Sequence, residues 1–284
     1  MEHLIKFDGA VTGFSVRDNY IYCICRRTVY KAEKESGKIV LEKEIFEKDG
    51  LARILIADEK QVFISDFCTL YVLNEEDFEV VEKRKIGEDL SSDICGMAVD
   101  ETRVYCSVRN GKIVTVEKGS FAQNEYEVSD ASMWSLKVYG DYLLCGTVSG
   151  QLAVIKRDTM SVVKRLNLSR QNVRSLYVDG TVLYAACQDK KLFKVGLADF
   201  EVIASVKNVH RKMFDCAGVY GGMLVTVSYP CGEVAFWDLE TLEKRREFTA
   251  PLSLSGNAYI EGEKMLITSR SIDGVGIIDL GDLR

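Results

Sequence analysis

Proline is nearly missing from this chain. Two prolines in 284 residues exclude a proline-rich linker and suit a chain made mostly of strand, because proline cannot donate to a hydrogen-bond ladder. Histidine is equally scarce: His3 and His210 stand alone, without HxxxH or HExxH spacing, which argues against histidine-based zinc catalysis. No apolar run approaches the roughly 18 residues of a membrane span. Met1-Glu2-His3-Leu4-Ile5-Lys6 has no apolar core of the kind a secretory leader carries, so neither leader nor transit peptide is expected. There is no CxxC pair, no GxSxG elbow and no GxGxxG or GxxxxGK[ST] phosphate loop, so the common motifs of thiol, hydrolase and nucleotide chemistry are missing. Excess positive charge is lacking too. A net charge of −6 argues against coating nucleic acid by bulk attraction and leaves room only for a local basic patch.

What the chain does have is a repeat. A six-residue strand core occurs seven times, as Tyr20-Ile21-Tyr22-Cys23-Ile24-Cys25, then QVFISD from Gln61, RVYCSV from Arg103, YLLCGT from Tyr142, VLYAAC from Val182, MLVTVS from Met223 and KMLITS from Lys264. Its second residues, Ile21, Val62, Val104, Leu143, Leu183, Leu224 and Met265, are separated by 41, 42, 39, 40, 41 and 41 positions. A period near 40 built from short strands marks a radially repeated all-β protein.

Each repeat divides into four strands, A to D. In the fourth these are Met133 to Tyr139, Tyr142 to Thr147, Gln151 to Lys156 and Ser161 to Leu168. B and C are near-continuous apolar runs, as in strands covered on both faces. D strands such as Val80-Val81-Glu82-Lys83-Arg84-Lys85-Ile86 mix apolar and charged residues, which guards a solvated outer edge against pairing with another chain. The third repeat is the least regular, with an expected long C-to-D turn from Glu117 to Glu125. The seventh stops after strand C, while Glu2 to Phe7 is a strand-like segment with no repeat of its own. The N-terminal segment is therefore expected to complete the last sheet and close a ring. The expected blades are approximately 11–48, 49–91, 92–130, 131–170, 171–211, 212–251, and 252–284 together with 2–8, in a single domain.

Nine cysteines are many, but Cys23, Cys106 and Cys145 share one strand-B position, and Cys25 and Cys187 lie two residues on. They read as small buried hydrophobes, and free thiols favour a reducing, cytoplasmic setting.

The period, the four strands and the borrowed closing strand resemble a seven-bladed β-propeller of the WD40-repeat type. Trp237-Asp238, at the end of strand C in the sixth repeat, is that family's dipeptide. The Gly-His pair usual ahead of strand A is absent, so the family's His/Ser/Asp/Trp hydrogen-bond network is not expected in any blade, and rigidity falls to packing. Ser36-Gly37-Lys38-Ile39 also resembles propellers that bind a quinone, without that group's tryptophan-docking motifs. The resemblance implies a protein-interaction scaffold.

In a propeller the D-to-A and B-to-C loops share one face at the channel mouth. Here they bring Arg26, Arg53, Arg109, Arg170, Arg174, Arg211 and Lys212 together with Phe67, Trp134 and Tyr229. Arginine and aromatic side chains combine buried area with polar contacts and dominate binding hot spots. Met133 and Phe214 read more simply as plugs. The other face collects acids such as Asp100, Glu101 and Asp141. The expected partner is another protein, or an acidic or phosphorylated peptide. RNA or another phosphate-bearing ligand on the same arginines is the alternative. A propeller enzyme with an axial metal or cofactor is the third reading, but the strand-A starts supply one acid, Asp215, which is a poor cation site. No catalytic residue, cofactor, metal or membrane is expected.

Overall fold

The computed structural model describes residues 3–47, 52–250, 254–269 and 272–281. Among them, twenty-eight strands and one short 3-10 turn, Leu90–Ser92, account for the regular structure. The strands form seven four-stranded sheets. Six are meanders in chain order. The first comprises Val11–Arg17, Tyr20–Cys25, Thr28–Glu33 and Ile39–Glu44. The fourth comprises Met133–Tyr139, Tyr142–Thr147, Gln151–Lys156 and Ser161–Asn167. In the seventh, strands A to C are Leu254–Glu261, Lys264–Ser269 and Gly274–Asp279. Its fourth strand is His3–Lys6, antiparallel to strand C with Ile5 opposite Val275. This inventory and connectivity are those of a seven-bladed β-propeller whose last sheet takes its outer strand from the N-terminus. Glu2, at the start of the expected segment, lies outside the described residues.

Every strand B begins at the residue where the six-residue core begins. Strand D of the third sheet departs from expectation. It spans Gln123–Glu127, so the turn is shorter than Glu117 to Glu125. The reason is a turn chemistry shared by most sheets. One or two residues before strand D stands a bulky apolar residue in the left-handed region: Phe78, Phe121, Met160, Phe200 and Leu242 have φ of 56°, 57°, 54°, 54° and 56°. Such a conformation costs a residue with a Cβ about 1–2 kcal/mol. The preceding Asp, Ser or Thr offsets part of that by accepting the N–H two residues on, as in Asp77 with Glu79 (2.9 Å), Ser120 with Ala122 (3.3 Å) and Asp199 with Glu201 (3.1 Å). Burial supplies the rest. Phe78 packs edge-on to Tyr22 of the preceding sheet, and Phe200 to Tyr142. In the first sheet Gly37 (φ 69°) takes the position, so Ser36-Gly37-Lys38 is the same turn.

The chain forms two compact units. One holds the first two sheets and most of the seventh; the other holds residues 95–251 and 260–262, and so the third to sixth sheets. In each unit the core lies between neighbouring sheets. Leu144, Leu152 and Val154 of the fourth pack with Leu176, Leu183 and Val195 of the fifth. Tyr22, Ile24 and Val29 of the first pack with Leu55, Val62 and Leu73 of the second. Cys23, Cys25, Cys106, Cys145 and Cys187 are buried among these apolar groups, and burial pushes the Cys106 thiol up to about 12.

The A-to-B and C-to-D end of the sheets is fastened by polar contacts. In the second unit, Asp100 accepts from the Tyr105 hydroxyl (2.7 Å), from the amides of Thr102 and Arg103 (2.8 and 2.7 Å), and from Arg157 of the next sheet (2.6 Å). Burial raises the Asp100 carboxyl, and these donors together outweigh it and hold it below the usual carboxylate range. In the first unit the equivalent tyrosine, Tyr22, bonds Glu75 of the next sheet, and Lys31 reaches the same carboxylate at 2.5 Å.

Candidate functional site

Strand A of the fourth, fifth and sixth sheets begins Met133-Trp134-Ser135, Val173-Arg174-Ser175 and Phe214-Asp215-Cys216. Trp134, Arg174 and Asp215 hold the same place in consecutive sheets. Register shifts fall between Met133 and Ser135 and between Val173 and Ser175, so Trp134 and Arg174 are the extra residues of two β-bulges, and a bulge re-aims a side chain. In the sixth sheet the shift falls later, between Cys216 and Gly218. The three strand starts are stitched by serines. The Ser135 hydroxyl donates to the Val173 carbonyl at 3.0 Å, and the Cys216 amide donates to the Ser175 hydroxyl at 3.2 Å. Gly146 makes room for the first stitch. A Cβ there would stand 2.3 Å from Ser135 Oγ and 2.5 Å from the Val173 carbonyl oxygen.

Arg174 Nε donates to Asp215 Oδ1 at 2.9 Å, and its guanidinium lies over the Tyr229 ring, 5.6 Å from the centroid. Burial raises the Asp215 carboxyl, with Arg174 and then Tyr229 acting against it. The buried Tyr229 hydroxyl has no hydrogen-bond partner among the described residues. Tyr229 is buried. It was expected to contact a partner, and instead it supports Arg174 from below.

The other expected residues divide by unit. In the second unit Trp134 is 44% exposed, joined by Met213 at 38% and Val148 at 37%. Val148 was not anticipated, although its amide bonds the Ser132 carbonyl two residues from Trp134 (2.9 Å). Arg109, Arg170, Arg211 and Lys212 are exposed. Arg211 bonds Glu233, so its charge is partly answered within the protein. Arg170 and Lys212 have no acidic partner among the described residues. Met133 and Phe214 are fully buried plugs. In the first unit Arg26 is exposed and faces Asp8 at 3.7 Å, Arg53 is exposed, and Phe67 is exposed on a left-handed backbone (φ 48°).

One expectation is overturned in the sixth sheet, where a buried hydrogen-bond chain does form. Trp237 Nε1 donates to Thr226 Oγ1 at 2.8 Å, and Thr226 Oγ1 lies 2.8 Å from His210 Nε2. His210 Nδ1 faces Glu233 Oε2 at 3.3 Å. With the proton on Nδ1 toward the carboxylate, neutral His210 accepts the Thr226 hydroxyl proton at Nε2, and every member is satisfied. Burial depresses the imidazole to about 4, against the pull of Glu233. The Gly-His pair is replaced by Val209-His210, and Glu233 supplies the carboxylate from the start of strand C. A search tied to the usual dipeptide misses both. The order Glu, His, Thr also resembles a nucleophile relay. Thr226 is fully buried and accepts the indole N–H, so no substrate reaches it, and the chain fastens strands B and C to the D-to-A connection. Above it lies a groove of about 550 Å³ lined by Lys190, Arg211, Lys244 and Glu247 among others. Among the described residues no three His, Cys, Asp or Glu side chains converge as a metal site, and no helix is long and apolar enough to cross a membrane.

No protein-family profile matches the chain, and no curated protein matches it. A solved structure does: the crystal structure of the computationally designed Ika8 protein superposes with a TM-score of 0.70 at 11% identity, over 97% of this chain and 98% of that one. Identity this low carries fold alone. The class defined by the sheets and by this likeness is the β-propeller.

Proposed function

We propose that this chain is a divergent WD40-repeat-like propeller acting as a non-enzymatic protein-interaction scaffold in the cytoplasm, with its partner, a protein or an acidic peptide, held at the D-to-A and B-to-C end of the fourth to sixth sheets. One observation carries the reading. Trp134, Val148 and Met213 expose large apolar surface at loop and bulge positions where folding does not require it, at the same end of these sheets as Arg170 and Lys212, which have no acidic partner among the described residues. An exposed indole among cations is the composition of a binding hot spot. The nine free cysteines support a reducing compartment.

The test is capture of the native partner by purified protein, compared with Trp134→Ala, Met213→Ala and the opposite-end control Glu101→Lys. Loss of capture in the first two with unchanged melting supports the reading. Loss only in the control assigns binding to the wrong end.

A further inference from the structure

We infer that Arg174 is a preset fork for a single carboxylate, so that the partner's anchor is an acidic side chain beside an apolar one. The inference rests on the scaffold reading for its context and goes beyond it in naming the ligand chemistry. Arg174 makes one hydrogen bond among the described residues, through Nε to Asp215. Its two terminal nitrogens, the edge that grips carboxylates in a forked pair, have no hydrogen-bond partner among the described residues. The group is nevertheless fixed. Asp215 holds one edge, Tyr229 lies under the plane, and the bulge sets its direction. An arginine oriented in this way loses less freedom on binding than a mobile surface cation.

Charge selects the ligand. Asp215, with its side chain 18% exposed against 25% for Arg174, already answers one positive charge, and what remains outward is the positive end of an ion pair. That suits a monoanion. A phosphate dianion has a larger desolvation cost, and Asp215 repels it more strongly than it repels a monoanion at the fork. Trp134 is next to it: Ser135 follows the indole, Val173 precedes the arginine, and the two are hydrogen-bonded at 3.0 Å. An apolar residue adjoining the acid therefore has the indole to cover.

The experiment uses the full chain and two dipeptide amides as probes, acetyl-leucyl-glutamate and acetyl-leucyl-glutamine, followed by proton–nitrogen NMR of the Arg174 Nε–H and the Trp134 indole N–H. The glutamate probe should shift both signals saturably, and the glutamine probe should bind weaker by roughly tenfold or more, as loss of a charge-assisted fork implies. Arg174→Gln should abolish the response while the Trp237 indole signal stays in place. Equal binding of the two probes, or an undiminished response in Arg174→Gln, overturns the proposal. A phosphoserine probe that binds tighter than the glutamate probe overturns the choice of carboxylate. Asp215→Asn adds an independent readout by moving preference toward phosphoserine; an unchanged ratio contradicts the charge argument. The two readings fail separately. If the glutamate probe binds but Trp134→Ala and Met213→Ala keep full partner capture, the scaffold surface is wrong and the fork stands. If capture is lost in those variants and the probe does not bind, the fork is wrong and the surface stands.

Discussion

At the A-to-B and C-to-D end of the third to sixth sheets, several acidic side chains are engaged with the protein itself. Asp100 holds Tyr105, Arg157 and two amides. Asp238 accepts the amides of Glu240 and Thr241 and pairs with Arg245. Met160, Phe200 and Leu242 plug the turns. At the opposite end of the same sheets, Trp134, Val148 and Met213 are exposed, and among the described residues Arg170 and Lys212 have no acidic partner and Arg174 makes one hydrogen bond, through Nε. The same sheets thus carry one end that is closed upon itself and one that is not. Residues that fold the protein and residues available to a partner are separated along the strands, so variants at the two ends should affect different measurements.

The largest expected effect is at the closed end. Phe200→Ala empties the space beside Tyr142 and should lower unfolding free energy by about 3–5 kcal/mol, read by chemical denaturation. A loss under about 1 kcal/mol would mean that the turn is held by its hydrogen bonds rather than by the plug.

The next effect shows that the open end is firm beneath its surface. His210 is neutral when folded, with its pKa near 4, and titrates near 6.5 when unfolded. The unfolded chain then binds the extra proton first as pH falls, so stability should drop between about pH 6.5 and 4 by about 3 kcal/mol from this group. His210→Gln should flatten that slope. An unchanged slope would place the acid sensitivity elsewhere.

Asp100→Asn should cost about 2 kcal/mol, because Arg157 and Tyr105 lose a charged acceptor in a partly buried setting. Double-variant analysis with Arg157→Gln checks it. Additive losses would show that the pair does not couple.

Sequence reading reached the strands more surely than the site, for a physical reason. Burial on both faces forces apolar runs, so Tyr20 to Cys25 and its six copies locate every strand B. The closing strand follows from the same count. Side-chain direction and pairing are set by neighbours about 40 residues away and leave no local trace. Nothing near Arg174 announces Asp215, 41 positions on. Nothing near Trp134 announces the bulge that exposes it, apart from the placement of Gly146 on the opposing strand. Tyr229 has the composition of a hot-spot residue and is buried as a support. His210 carried no motif, yet its partners Thr226, Glu233 and Trp237 all lie within the following 27 positions. Comparing equivalent positions, Thr226 against Cys145 and Trp237 against Ile155, is the signal that could have found that network. The acids at the closed end read as a charged face, and several of them, Asp100, Asp199 and Asp238 among them, prove to be turn caps.

The smallest expected effect on folding belongs to the residue on which the functional reading depends most. Trp134→Ala should change stability by less than about 0.5 kcal/mol, as for an exposed site, and weaken partner binding by about 2 kcal/mol. Measuring melting and partner affinity for Trp134→Ala beside Asp100→Asn tests the separation of the two ends most directly. Unchanged melting with weakened binding in the first, and lowered melting with intact affinity of the folded protein in the second, is the predicted outcome. The reverse pattern, or a Trp134→Ala protein that melts well below the parent, would contradict it.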